Sequence, residues 1–462
     1  MNSQPSTLEF AALVAIDWAN QEHSWALQAA DTQRVEGGEL ENTPEAVEQW
    51  AAELAQRFGG RPVAVALEQP RGAVVAMLSK YAHLVLYPVH PGTLAHYRQS
   101  FYPSGAKSDP LDTDLLLELL RCHRDRLRPL ELDTVETRTL QFLVEDRRKA
   151  VDEKTRLTNR LTDMLKRYFP QIPHWFDDVA SPLVGDLLER WPTLQELQKA
   201  RPETLRRFFD QHNCRSQERI EERLQSIRQA IAATQDPAQL EAGTLAVGGL
   251  VRFLAQLRQT IADYDKRIAQ LAQAHPDFSI FDSFPGAGPV LAPRLIAALG
   301  TNRDRFESAQ QLQCFSGIAP VVESSGQKEW IHWRWACPKF LRQTFQEFAQ
   351  HSLKACPWAR DYYQRQIARG KSHHAAVRAL AFKWIRILFR CWKDRSPYQD
   401  PLYQQALQRR APTNPTAPTP ASPKPKSTSP KGRNPQLPQF LQLQWESCAG
   451  FSKLSGFTLL TE

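Results

Sequence analysis

Cysteine is scarce in this sequence, and the cysteines present are poorly placed for cross-linking. The chain of 462 residues contains seven cysteines, an odd number, and no two of them form a Cys-x-x-Cys pair. These counts argue against a disulfide-stapled scaffold and give no zinc-finger spacing. Because free thiols persist in reducing compartments, we expect a cytoplasmic protein.

Long apolar runs are also missing. The sequence has no continuous stretch of about 20 apolar residues, which is the length that a transmembrane helix needs. The first residues, MNSQPSTLEF, have neither the basic segment nor the apolar core of a secretory signal. We therefore expect neither a membrane-spanning segment nor a signal for secretion.

Negative charge is in the minority overall but is concentrated at one end of the chain. The 58 Lys+Arg outnumber the 50 Asp+Glu, which gives a net charge of +8. Residues 1–125 hold 9 basic and 16 acidic residues, a net of −7, and the remainder holds 49 and 34, a net of +15. Basic surfaces attract the phosphate backbone of nucleic acids. The acidic segment is either solvated surface or a source of metal-binding carboxylates.

The order of predicted strands and helices indicates an α/β domain over residues 1–128. Three strands (11–17, 24–29 and 35–39) precede a helix (43–58), a strand (63–67), a helix (72–81), a strand (84–87) and a Leu-rich helix (109–123). Such an order is typical of a sheet with helices packed on it.

The middle of the chain, residues 129–277, is predicted to be helical. Apolar residues between Leu250 and Leu271 recur in steps of four and three, and a weaker seam ends a helix over 137–169. The two helices could pair with each other as an antiparallel hairpin or with another protomer. A mostly helical second domain is expected over 278–410. Nine prolines in 411–438 predict a disordered linker over 411–439, ahead of a C-terminal tail, 440–462.

Four carboxylates of the first domain stand where a two-metal site would need them. Asp17 ends the first strand, and Glu68 follows the strand 63–67. Asp109 and Asp112 are three residues apart and so share one face of the helix that they begin. Hard oxygen ligands of this kind hold pairs of divalent ions that clamp the oxygens of a phosphodiester. Each of these residues taken alone could equally be an ordinary surface acid or a helix cap. The spacing alone does not decide between a metal site and such structural roles.

The segments around these carboxylates read AIDWANQEHSWAL, ALEQP and KSDPLDTDLLL, and FPGAGPVLAPRLIAALG, LQCFSGIAP and ESSGQK follow downstream. The first three resemble the N-terminal DEDD region of the IS110-type insertion-sequence transposases, and the downstream three resemble that family's C-terminal transposase domain. The resemblance covers roughly residues 11–395, with both sets of motifs in the family's order. The chain departs from the family pattern at LEQPRG, at Ser108 and at WRWACPKFLR, which lacks a Gly-Asn pair.

The resemblance implies a fold, a reaction and partners. The fold would be an α/β RuvC-like (RNase H-type) N-terminal domain, a helical coiled-coil middle and a mostly helical C-terminal transposase domain. Asp17, Glu68, Asp109 and Asp112 would bind Mg²⁺ or Mn²⁺, and Ser325, adjacent to Ser324, would be the nucleophile. The protein would be a DNA recombinase guided by a noncoding bridge RNA, assembling as a homo-oligomer from dimers to a tetramer.

Further residues are candidates for nucleic-acid contacts. Two glycines precede a predicted helix, where backbone N–H groups can approach a phosphate, although a tight turn explains them equally well. The run KEWIHWRW sets aromatic beside basic side chains, as in surfaces that stack on bases. The same alternation is typical of a half-buried strand, and we favour core packing. The candidates are Lys107, Gly286, Gly288, Arg294, Lys328 and Arg334.

Three functions remain open on the sequence. The first is the serine-using, metal-dependent DNA recombinase, and the second is a RuvC-like Holliday-junction nuclease whose second domain only binds junctions. These two differ in whether activity needs Ser325. The third is a non-catalytic coiled-coil nucleic-acid-binding protein, which would not bind metal through Glu68 and Asp109.

Overall fold

The computed structural model describes residues 9–102, 109–326 and 328–401, with the side chain of Asp109 excepted. Lys107, the predicted linker 411–439 and the tail 440–462 lie outside the described residues. The contacts divide the chain after Gln399, and every helix and strand described below belongs to the part before that point.

The first part of the chain is built on a five-stranded mixed sheet. Its strands are β1 (Ala12–Asp17), β2 (Glu22–Ala29), β3 (Val35–Glu41), β4 (Val63–Leu67) and β5 (Leu84–Pro88), in the spatial order β3-β2-β1-β4-β5. The first three strands are antiparallel neighbours, whereas β1, β4 and β5 run parallel. The predicted α/β class and strand positions are confirmed.

Four helices accompany this sheet: α1 (Pro44–Arg57), α2 (Ala73–Leu78), α3 (Pro91–Phe101) and α4 (Asp109–His123). Thr43 begins α1 as a cap, because its side chain accepts a hydrogen bond from the Ala46 N–H at 3.3 Å. The helix α3 was not predicted from the sequence. It matters for the site, because it lies against α4.

The two faces of the sheet carry residues of different size. Large residues of β1 and β4, such as Ile16 and Leu67, share a core with α1 and α2. Alanines alternate with them and point to the opposite face, where Ala15 and Ala66 share a core with α4. Because alanine side chains are small, α4 lies directly on the strands.

The middle of the chain is helical, as predicted. Its helices are α5 (Val135–Tyr168), α6 (Gln171–Trp175), α7 (Pro182–Arg190), α8 (Leu194–Lys199), α9 (Pro202–Gln211), α10 (Gln217–Gln229) and α11 (Pro237–Ala274). The short helices between α5 and α11 share a core with the adjoining ends of these two long helices.

The two long helices pair with each other in an antiparallel hairpin. Thr137, near the start of α5, hydrogen-bonds to His275, just past the end of α11, at 2.9 Å. At the other end, a Cβ on Gly243 would lie 2.7 Å from the ring of Tyr168. The sequence left open whether the partner was another protomer, and the structure places it in the same chain.

Helix α11 is long and apolar enough to cross a membrane by length and composition. In the structure it instead packs along α5, with Leu250, Leu254 and Ile268 buried. Because core helices of soluble proteins pass the same test, this one candidate among the described residues is weak evidence for a membrane span.

The last described region is mostly helical, as predicted. It comprises α12 (Phe278–Asp282), α13 (Gly288–Leu299), α14 (Ala309–Phe315), the strands β6 (Val321–Ser325) and β7 (Lys328–His332), and then α15 (Lys339–Ala355), α16 (Pro357–Ala368) and α17 (His373–Lys393). A cluster of aromatic side chains lies in its interior, where the ring centroid of Trp384 lies between 4.5 and 6.0 Å from those of Trp358, Phe348 and Phe284.

The favoured interpretation of KEWIHWRW as a core strand is wrong. Strands β6 and β7 form a two-stranded antiparallel hairpin in which Trp330 is 51 % exposed and Ile331 67 % exposed. Trp335, beyond the hairpin, is 72 % exposed. The strand covers only KEWIH, and both faces of the hairpin are open to solvent.

Candidate functional site

Two of the predicted carboxylates lie side by side at one edge of the sheet. In the parallel pairing of β1 with β4, Ile16 is opposite Leu67, so Asp17 and Glu68 are the next residues on adjacent strands. Asp17 is two residues beyond Ala15, which places it on the face that α4 covers. Both acidic residues are half-buried.

Helix α4 brings a third carboxylate to the same face. Asp112 lies in its first turns and is 2 % exposed. It stands four residues before Leu116 and eight before Leu120, both of which are buried in the core against the sheet. Asp109 lies one turn earlier, and its side chain falls outside the described residues. The helix therefore presents Asp112 on the face of the sheet that carries Asp17, at the end of β1, and Glu68, just after β4.

The carboxylate of Asp112 is bound by an arginine that the sequence analysis missed. Arg98, on α3, places Nη2 2.6 Å and Nε 2.7 Å from the same Oδ1 atom of Asp112. The two side chains are 16 % and 3 % exposed, so this is a buried ion pair. A sequence signal existed, since Arg98 is the only Lys or Arg between Lys80 and Lys107. A buried carboxylate needs a cation, and this segment offers only one.

The carboxylates of this site suit a hard divalent cation, but the described side chains alone do not form a full set of metal ligands. Carboxylate oxygens are the ligands that Mg²⁺ and Mn²⁺ prefer. Among the described side chains, no three His, Cys, Asp or Glu residues come together as a metal-holding group. Asp109 is not among the side chains considered, and Asp112 is engaged by Arg98. The acidic residues are therefore of the type that binds such a metal, and in this structure Asp112 is paired with Arg98.

The predicted nucleophile, Ser325, lies at the tip of the exposed β6–β7 hairpin. It ends β6 and is paired with Lys328, the first residue of β7. Gly326 follows it with φ +58°, a left-handed conformation that suits glycine at such a turn. Ser324 is paired with Glu329 instead and faces the other side. The two serines therefore have different neighbours across the hairpin, and Ser325 is the one paired with a cation, Lys328.

The two glycines ahead of α13 have different roles in the structure. Gly286 has φ +84°, and a Cβ there would lie 2.9 Å from the backbone of His351 on α15. Close packing between backbones explains this glycine. Gly288 has φ +54°, and a Cβ there would meet nothing within 4 Å. Of the two, only Gly288, the first residue of α13, keeps the open surroundings that a phosphate contact would need.

Arg294 does not have the accessibility predicted for a nucleic-acid contact. It is 6 % exposed, it binds the carboxylate of Glu347 through Nη1, and its Nη2 donates to the Thr344 hydroxyl at 3.2 Å. Arg148 on α5 reaches the same carboxylate at 3.2 Å. Burial lowers the pKa of Arg294 below its ordinary value, while Glu347 opposes that shift. We therefore assign Arg294 to joining α13, α15 and α5 through Glu347 and Thr344.

The remaining basic candidates differ in accessibility. Lys328 is exposed on the hairpin, whereas Arg334 is half-buried in the segment that follows it. Lys107 lies outside the described residues.

Comparison with known proteins identifies the class. A DEDD-type transposase model for IS110 matches residues 14–170, and a model described as the transposase IS116/IS110/IS902 family matches residues 279–364. These two regions contain the carboxylate-bearing sheet and the serine hairpin respectively. The chain is thus an insertion-sequence transposase by class.

The similar curated proteins narrow the assignment to one family. A mini-circle protein of Streptomyces coelicolor, provisionally named a transposase for IS117, is 29 % identical over 355 residues, which cover 75 % of this chain and 86 % of that protein. A 43.6 kDa protein of insertion element IS110 from the same organism is 28 % identical, covering 75 % and 85 %. A 42 kDa protein of IS900 from Mycobacterium paratuberculosis is 26 % identical, covering 83 % and 96 %. The chain belongs to the IS110 family of transposases.

Proposed function

We propose that this protein is the DNA recombinase of an insertion sequence, cutting and rejoining strands through Ser325 with the aid of a divalent metal bound by carboxylates. The observation that carries the proposal is the register of β1 and β4. It sets Asp17 beside Glu68 on the face where α4 presents Asp112. Membership of a transposase family supports DNA as the substrate.

The α/β domain over residues 1–128, which we call the head, fits a RuvC-like (RNase H-type) domain in the order and direction of its strands. Its antiparallel β1–β2–β3 unit continues into parallel strands on the other side of β1. Asp17, Glu68 and Asp112, together with Asp109, would hold Mg²⁺ or Mn²⁺. When bound, such an ion supplies positive charge that stabilises the phosphoryl oxygens during displacement.

Ser325 would supply the nucleophile from the second region of the chain. Its Oγ attacks the phosphorus atom of the DNA backbone, so an Oγ–P bond forms while the P–O3′ bond breaks. The serine proton leaves to a base, and the departing 3′ oxygen takes up a proton. Because one phosphoester bond replaces another, the strands can be rejoined without ATP. Lys328, paired with Ser325 across the hairpin, is placed to neutralise the phosphate charge.

A plasmid excision assay with matched serine variants tests the proposal. Ser325→Ala should abolish excision, whereas Ser324→Ala, its neighbour on the opposite face, should retain it. Asp17→Asn should abolish excision as well, and circular dichroism should show all three variants folded. Full excision by Ser325→Ala would end the serine proposal. If that variant also depended on Asp17 for DNA cleavage, the protein would be a RuvC-like nuclease instead.

The proposed partners rest on the family resemblance and on charge. The net charge of +15 beyond residue 125 suits phosphate backbones, and the resemblance supplies the bridge RNA and an assembly from dimers to a tetramer. We place this activity in the cytoplasm, on nucleoid DNA. Sequencing the RNA that copurifies with the protein, expressed together with its element's flanks, tests the guide. Recovery of random cellular RNA alone would remove it, and light scattering gives the number of protomers.

A further inference from the structure

The β6–β7 hairpin has two faces of different chemistry. In an antiparallel pair, residues directly opposite each other point to the same side. One face carries the pairs Ser325–Lys328, Glu323–Trp330 and Val321–His332, and we call it the serine face. The other face carries Ser324–Glu329 and Val322–Ile331. The cation and the accessible tryptophan of the hairpin therefore share a face with the proposed nucleophile.

The lysine of the serine face, Lys328, is available to bind a phosphate, because the acidic residue on that face is paired with a histidine. His332 Nε2 lies 2.9 Å from Glu323 Oε1, so the acid on this face already has a partner. Lys328 is exposed and makes no ion pair with any described residue. Its position across from Ser325 places Lys328 beside the phosphate that Ser325 would attack. His332 itself is four residues from Lys328, about 13 Å along the strand, and is too far from Ser325 to take its proton.

Trp330 is the next residue along the same face. It lies two positions from Lys328, about 7 Å along the strand, which is close to the reach of a single nucleotide from phosphate to base. Half of its surface is exposed, at 51 %. Every base offers a π-face, so an aromatic ring beside a phosphate-binding cation is a stacking platform for nucleic acid.

We propose that the serine face binds one nucleotide of the DNA strand, with Lys328 on the phosphate attacked by Ser325 and Trp330 stacked on an adjacent, unpaired base. The inference rests on the proposed function and adds a local requirement: the base at the cut must leave its own stack. A protein partner would favour the opposite face, because Val322 and Ile331 form an apolar pair there, 52 % and 67 % exposed, and the four paired hairpin residues of that face include no cation.

Binding of short single-stranded DNA to full-length protein, measured by fluorescence anisotropy, tests this assignment. A Ser325→Ala background prevents cleavage during the titration. In that background, Trp330→Ala should weaken binding about tenfold, within the range that loss of one aromatic–base stack gives, and Trp330→Phe should keep most of the affinity. Ile331→Ala is the matched control, since it removes a neighbouring and more exposed apolar side chain, at 67 %, from the opposite face, and it should leave the affinity unchanged.

An abasic oligonucleotide of the same length separates stacking from every other cause. With no base to stack on, Trp330→Ala and the tryptophan-containing protein should bind it equally. Equal losses on normal and abasic DNA, or no loss on normal DNA, would overturn the inference. A loss of DNA affinity with Ile331→Ala but not with Trp330→Ala would also overturn it. If Ile331→Ala changed the mass of the oligomer as well, the hairpin would be assigned to contact between copies of the chain. Because the assay requires no cleavage, its outcome is independent of whether Ser325 is the nucleophile.

Discussion

Replacing Arg98 by glutamine tests how the proposed metal site is held in the absence of metal. The Arg98 guanidinium contacts Asp112 at 2.6 Å, and the two side chains are 16 % and 3 % exposed. Removing one partner of a buried pair leaves an uncompensated charge, at a cost of about 3–5 kcal/mol. We expect Arg98→Gln to lower the free energy of unfolding of the head by about 3 kcal/mol in the presence of a chelator.

Urea denaturation of the full chain measures this change. A chain of this length need not unfold in a single step, so the transition of the head is identified as the one that Asp112→Asn also shifts. Arg57→Gln serves as the control. It breaks the pair with Glu36, whose side chains are 43 % and 35 % exposed, and it should cost less than about 1 kcal/mol.

The double variant Arg98→Gln/Asp112→Asn separates the effect of an unpaired buried charge from the effect of altered side-chain packing. It removes both charges together, so it should recover a large part of the stability lost in Arg98→Gln. Mg²⁺ should also stabilise Arg98→Gln more than the unmodified protein, because the metal no longer competes with the arginine for Asp112. If Arg98→Gln unfolds at the same urea concentration as the unmodified protein, the ion pair does not hold Asp112 and this reasoning is refuted.

Three further predictions concern the rest of the chain. Burial lowers the pKa of His275 below 6.5, so the stabilisation present above pH 6.5 is lost as the pH falls below it; His275→Gln should flatten that part of a stability–pH curve. Gly286→Ala should destabilise the protein by more than about 1 kcal/mol in urea titrations, and more than Gly288→Ala, since both have positive φ but only the first would clash. In DNA-binding titrations against salt, Lys328→Ala should reduce the slope by about one counterion, whereas Arg294→Gln should lower stability and leave the slope unchanged.

The strands of the head were predictable because their residues are strongly patterned. AALVAID and the strand 63–67 are short apolar runs that end in acids, and the structure has β1 and β4 at those positions. Helix α3 was missed because its pattern is weak: it buries only Leu94, and its start depends on Pro91 and on the His90 ring, which accepts from the Gly92 N–H at 3.0 Å. A helix that buries so little leaves a faint periodicity in the sequence.

The surroundings of the site residues could not be read from local pattern. The contact between Arg98 and Asp112 joins two helices, and its distance depends on how α3 packs against α4. The alternation in KEWIHWRW has the period of a strand, but period alone does not say whether another layer covers it. For α5 and α11 the seams predicted pairing, while the choice of partner came from the helices between them, whose shared core brings the two together within one chain.

The Arg98–Asp112 pair also bears on how the head responds to metal loss. A carboxylate that is 3 % exposed would be costly to bury without a cation, and here the protein supplies its own. The valine, leucine and isoleucine core on the other face of the sheet involves none of the proposed metal ligands. The head should therefore remain folded under chelation, unlike a zinc finger, whose fold depends on its metal. Far-UV circular dichroism with and without EDTA should be superimposable, and unfolding by EDTA would show that the carboxylates, rather than the sheet core, hold the head together.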